Sequence, residues 1–200
     1  MPKIVLQAGH INAKNNIDPI LRKSTGAPGE QELTKRITDR VAHDLRLRGF
    51  EVKQTDSCAN SDKSIISPNN WNLFLAIHGE ADLAGQGGTI ATAHPAIDGA
   101  ALKSARIKEA IRSEYFKHSS IDDKNYTSDN IRFYYMWKLL SAKTPCVLIE
   151  LGQVQDAHDK VLLADTDRIA NALARGVCRA FDVPYNLVDT GPSPRPDPMP

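Results

Sequence analysis

The stretch EQELTKRITDRVAHDLRLRGFEVKQT, Glu30 to Thr55, reads as a helix running directly into a strand. Leu33, Ile37, Val41 and Leu45 recur at four-residue steps, which predicts one amphipathic helix over Glu30–Arg48. Gly49 stands where a left-handed residue closes such a helix. Phe50–Thr55 then alternates in polarity and predicts a strand. Before this unit, Lys3–Ala8 is a short apolar strand followed by Gly9-His10, and Ile11–Gly29 is a long polar loop of the kind that often carries function.

Downstream, Asp56–Asn70 reads as a loop and Leu73–Ile77 as an apolar strand ending at His78. Gly85, Gly87 and Gly88 mark a turn, and Thr89–Ala93 is a further strand. Asp98–Tyr115 predicts a helix, and the aromatic-rich Asn130–Leu140 another. Cys146–Ile149 is a buried-type strand ending at Glu150, and two helices follow over Ala157–Leu163 and Thr166–Phe181. Strands alternating with helices predict a single α/β domain, a mostly parallel central sheet flanked by helices. That domain spans residues 1–185. Five of the 12 prolines fall between Pro192 and Pro200, so 186–200 reads as a stiff, extended tail or linker.

Composition sets bounds on function. A chain of 200 residues buries roughly 70% of its unfolded surface and needs no disulfide or metal merely to fold. Lys plus Arg number 25 against 24 Asp plus Glu, a net charge of +1 that argues against a dedicated nucleic-acid binder. No apolar run reaches the roughly 20 residues that cross a bilayer, so no membrane partner is expected. The N-terminus runs straight into a strand. We therefore expect synthesis in the cytosol without a signal peptide, or the mature part of an exported protein. Cys146 and Cys178 read as core thiols and Cys58 as exposed; no cysteine spacing suggests a zinc finger.

Three apolar runs end near a residue able to bind metal: Leu6 leads to His10, Ile77 to His78 and Ile149 to Glu150. In open α/β sheets, ligand sites form beyond the carboxyl ends of the strands. The long helix offers a further donor. With Leu33 at zero, Ile37, Val41 and Leu45 fall at about 40°, 80° and 120°, and Glu30 falls at about 60°, inside the stripe. Glu32 lies about 160° away and should face water, although it is the alternative ligand. Asp44 and Arg48 also project near the stripe. An inward carboxylate needs a cation or hydrogen-bond donors to offset its desolvation.

His10, Glu30 and His78 make a suitable zinc set, because catalytic zinc keeps three protein ligands and one open position. Such an ion acidifies water and polarises a carbonyl. A further carboxylate must then move the proton to the leaving group, and Glu150 is the candidate. Glu30 read as a helix cap and Glu150 read as a buried ion-pair partner are the plainer alternatives. His43, His94, His118 and His158 read as surface or loop residues. Glu80 reads as an exposed loop acid, and Trp71, Phe133, Tyr134, Tyr135 and Trp137 as core and rim packing.

Taken in order, these motifs resemble the zinc-dependent N-acetylmuramoyl-L-alanine amidases of the amidase-3 type, over about residues 3–181. The strand leading to Gly9-His10, the Glu30 helix closing at Gly49, the strand ending Ile77-His78, and Pro145 followed by a strand and Glu150-Leu151-Gly152 carry the resemblance. It implies a phosphorylase/hydrolase-like fold. It also implies one zinc per chain on His10, Glu30 and His78, with Glu150 as the catalytic carboxylate. The implied substrate is peptidoglycan, and the implied reaction is cleavage of the amide between the muramic acid lactyl group and L-Ala. The biology it suggests is a phage lysin or a bacterial autolysin, with a wall-binding module possible beyond the tail. The sequence departs from the family at Gln7-Ala8, where Asp-Pro is usual, at Gly79-Glu80, where a small residue and Asn often follow, and at Gln153 and Gln155. A zinc carboxypeptidase acting on stem peptides, a non-catalytic wall-binding domain and a metal-free enzyme are the competing readings.

Overall fold

The computed structural model describes residues 1–11, 26–55, 71–80, 86–92, 100–126, 131, 134–138, 140 and 144–186. The elements in chain order are β1 (Lys3–Ala8), α1 (Glu30–Leu47), β2 (Glu51–Thr55), β3 (Leu73–Glu80) and β4 (Thr89–Ala91). There follow α2 (Ala101–Ser119), a 3-10 turn (Tyr135–Lys138), β5 (Cys146–Gln153), α3 (Ala157–Ala164) and α4 (Thr166–Ala180). They form one five-stranded sheet in the order β2-β1-β3-β5-β4. β2, β1, β3 and β5 run parallel, and β4 pairs antiparallel to β5 at the edge. The mostly parallel α/β fold is thus as the sequence predicts.

β3 and β5 are buried at every residue because both faces of the sheet are covered, which is why their sequences run apolar without alternation. On one face, Leu75 and Ile77 of β3 and Val147 and Ile149 of β5 pack against Ile37 and Val41 of α1, Ile111 of α2 and Leu173 of α4. On the other, Val5, Phe74, Ala76 and Leu148 pack against Trp71, Ile131, Met136 and Trp137. Among the described residues no helix is long and apolar enough to cross a membrane.

Helices α2 and α4 approach closely at Gly176, where an added Cβ would lie 2.7 Å from Ile111 Cα. Alanine favours helix over glycine by about 1 kcal/mol. Here the clash is with backbone, which cannot rotate away, so overpacking wins. Gly176→Ala should destabilise the protein by about 1–3 kcal/mol, read as a melting temperature lowered by about 2–4 °C for each kcal/mol lost.

Three expectations need correction. The strands predicted to stop at Ile77 and Ile149 continue through His78 to Glu80 and through Glu150 to Gln153. Ladder pairing, Glu80 with Gln153 and Thr89 with Glu150, carries them past the last apolar residue. The segment read as one helix over Asn130–Leu140 is not one continuous helix: Ile131 is helical, and Tyr135–Lys138 form the 3-10 turn. On a continuous helix Ile131, Met136 and Trp137 would point about 140° and 240° apart, yet all three are buried in the same cluster. Part of that segment, Cys58, Phe133, His94 and the residues beyond Asn186 lie outside the described residues.

Candidate metal centre

β1 ends at Ala8. Gly9 then donates its N–H to Ile77 O at 2.8 Å, holding the turn against β3. An added Cβ at Gly9 would lie 2.6 Å from His78 Nδ1, so only glycine lets the His78 ring lie this close. His10 follows with φ 60°, a left-handed value that few residues other than glycine adopt. Thr34 Oγ1 of α1 donates to Gly9 O at 3.0 Å, which ties the first turns of the helix to the end of β1.

Glu30 opens α1 and is buried. Its Oε2 accepts the Ala27 N–H at 2.9 Å and its Oε1 accepts the Gly79 N–H at 3.1 Å. The positive end of the helix dipole adds to this stabilisation. Burial alone would raise the Glu30 carboxyl. The nearby His78 and His10 imidazoles and the Ala27 bond outweigh it, and the acid ends below its ordinary value. Burial lowers the His78 imidazole, against the opposing pull of Glu30. At neutral pH the site therefore presents a carboxylate and a neutral imidazole, the protonation states that metal ligation requires.

The cluster closes around Glu30 Oε1. His10 Nε2 lies 3.4 Å from it and His78 Nδ1 3.7 Å. The two imidazoles meet edge to face, with ring centroids 5.0 Å apart. One donor atom from each of the three residues lies within 4.8 Å of the others. A zinc tetrahedron with arms of about 2.0–2.1 Å has edges of about 3.4 Å. Both the donor types and these spacings fit a single zinc ion. Glu32, the alternative ligand, is exposed.

Glu150 lies on β5 directly in register with His78 of β3 and with Thr89 of β4. It is buried, and strand alternation puts it on the same face as His78. Glu80 is not the exposed loop acid the sequence suggests. It closes β3, is buried, and its Oε2 accepts the Tyr126 hydroxyl at 2.5 Å. Burial, that bond and the charges of Glu80 and Glu150 push the Tyr126 phenol up, so it stays a proton donor. Gln7 and Tyr134 also reach the site: the Tyr134 hydroxyl lies 3.1 Å from His78 Nε2 and donates to Gln7 Oε1. The period of two along β1 and β3 would have placed Gln7 and Glu80 on this face. No local signal marks Tyr134 or Tyr126.

A second group of donors, Asp156, His158 and Asp159, opens α3. Asp156 caps the helix through the N–H groups of His158 and Asp159, at 2.9 and 3.0 Å. Asp159 Oδ2 accepts from Gly87 N at 2.6 Å and Gln153 N at 2.8 Å. These carboxylates are occupied in fastening the turn before β4 to the end of β5. Of the other histidines, His43 and His118 are half-buried and His158 is exposed.

A family model described as N-acetylmuramoyl-L-alanine amidase matches residues 4–181. The chain belongs to this amidase family. It is therefore an enzyme, a hydrolase of the zinc amidase class. Solved structures share the fold. The amidase is similar to the N-acetylmuramyl-L-alanine amidase Ami1 of Mycobacterium smegmatis, with a TM-score of 0.72 at 18% identity over 90% of this chain and 97% of that one. It is also similar to the CwlD amidase of Clostridioides difficile, solved in complex with the GerS lipoprotein, with a TM-score of 0.65 at 22% identity over 91% and 99%. The catalytic domain of the CD27L endolysin, which targets Clostridia difficile, aligns with a TM-score of 0.64 at 18% identity over 93% and 100%. No curated protein sequence matches the amidase.

Proposed function

We propose that this amidase uses one zinc ion per chain to hydrolyse the amide joining the lactyl group of N-acetylmuramic acid to L-Ala of the peptidoglycan stem peptide. The observation that carries this reading is the convergence of His10 Nε2 and His78 Nδ1 on Glu30 Oε1, at 3.4 and 3.7 Å, with one donor atom of each residue within 4.8 Å of the others. When bound, zinc supplies Lewis acidity toward a carbonyl oxygen and acidifies water. The chain's own residues do the rest. His10, Glu30 and His78 hold the ion at the carboxyl edge of the sheet. Glu150, in register beside His78, takes a proton from the attacking water and returns it to the L-Ala nitrogen as the C–N bond breaks.

Digestion of purified sacculi by the zinc-loaded protein tests this. The expected products are whole stem peptides with a new L-Ala amine terminus, and glycan that retains the lactyl carboxylate. Release of a terminal amino acid would instead identify a carboxypeptidase. Binding to sacculi with no new amine would identify a wall-binding domain.

A further inference from the structure

A row of polar side chains leads from the cluster into the second face of the sheet. Gln7 is wholly buried on β1, and Val5, two residues before it, packs on that face. Tyr134 comes from the segment that covers the same face. Its ring meets His78 edge to face, centroids 5.3 Å apart, and meets Trp137 at 5.4 Å. Trp137 is fixed in turn by its indole N–H to Ile131 O at 3.0 Å. The Tyr134 hydroxyl is thereby held between His78 Nε2 and Gln7 Oε1.

The direction of these hydrogen bonds has a chemical consequence. A phenol has one hydrogen to give. Spent on Gln7 Oε1, it leaves the Tyr134 oxygen as an acceptor, so the facing His78 Nε2 must carry a hydrogen. The lone pair of the neutral ring then sits on Nδ1, the atom that faces Glu30 Oε1 at 3.7 Å. With the opposite polarity, a Gln7 amide N–H would donate to Tyr134 and Tyr134 to His78 Nε2. The hydrogen would then sit on Nδ1 and close it to metal.

We infer that Gln7 and Tyr134 are positioning residues that hold His78 in the Nε2–H tautomer and so present Nδ1 to the metal. The inference rests on the reading of His10, Glu30 and His78 as metal donors. It gives a role to Gln7, wholly buried on β1. Gln7 Oε1 performs the task an acidic oxygen could perform, accepting the hydroxyl that orients the imidazole. Groups that orient a ligating histidine typically contribute 10–100-fold in metal affinity.

Zinc dissociation constants, measured by competition with a chromophoric chelator, and imidazole nitrogen spectra of the metal-free protein test the inference. Tyr134→Phe and Gln7→Leu should each bind zinc about 10–100-fold more weakly and show His78 as a mixture of tautomers, with metal-free melting close to the parent. Gln7→Glu offers acceptor oxygens only, enforces the binding polarity, and should match or exceed the parent affinity. The inference is overturned if Tyr134→Phe and Gln7→Leu stay within twofold of the parent, or keep a pure Nε2–H signal, while His78→Ala abolishes binding. If His78→Ala also retains zinc, the metal assignment fails first and this role falls with it.

Discussion

Glu150→Gln should lower the rate of amide cleavage by about 10²–10⁴-fold while leaving zinc content and melting temperature near those of the parent. The substitution preserves the shape of the side chain and removes only its capacity to take and return a proton. Glu150 is not one of the three clustered donors, so the ion should stay. Its backbone pairs with His78 and Thr89 in the sheet, which keeps position 150 beside the site in parent and variant alike. Quantifying new L-Ala amine termini from sacculi, alongside metal analysis, separates the two effects. A variant keeping more than a tenth of the parent rate would move the proton-transfer role elsewhere. Glu80 is then the first group to test, since it lies two residues beyond His78, buried and bonded to Tyr126.

Glu30 should show two separable losses. Glu30→Ala removes a proposed zinc donor and also leaves the Gly79 N–H without its acceptor in a buried position. The first loss should weaken zinc binding by more than about 100-fold, beyond what an orienting group contributes. The second should cost about 1–3 kcal/mol of stability in the metal-free protein. Glu30→Gln keeps an acceptor oxygen for Gly79, so it should lose zinc with a smaller fall in stability.

The pH dependence separates the two further. Glu30 in the folded protein is held below its ordinary value of 4.5. Its ionised form thus contributes stability that is present above the unfolded value and is lost as pH falls through the folded one. The metal-free parent should lose stability relative to Glu30→Gln across that acidic range. Equal acid sensitivity in the two proteins would contradict the assignment.

Much of this site is legible in the amino-acid sequence alone, because its residues sit at positions with strong periodic context. Glu30 falls within the apolar stripe of α1, and His10, His78 and Glu150 follow apolar runs whose alternation with helices points to parallel strands. The part that sequence does not encode locally is long-range. Tyr134 meets His78 just before the 3-10 turn, in a segment that covers the second face without being one continuous helix. Three aromatic or apolar residues converge there at spacings no regular period encodes. Glu80 escapes the pattern for a related reason. The apolar run stops at Ile77, whereas the strand is prolonged by pairing with Gln153, a partner far along the chain. Asp159 likewise bridges Gly87 and Gln153, a fastening set by tertiary approach alone.

Metal content per chain is the most direct measure of the central claim. After zinc loading and dialysis, the parent protein should retain one zinc. His10→Ala and His78→Ala should each retain less than about a tenth of that, since a single remaining histidine and one carboxylate fall short of the three protein ligands a catalytic zinc keeps. Near-stoichiometric zinc in both variants, or none in the parent, would contradict it.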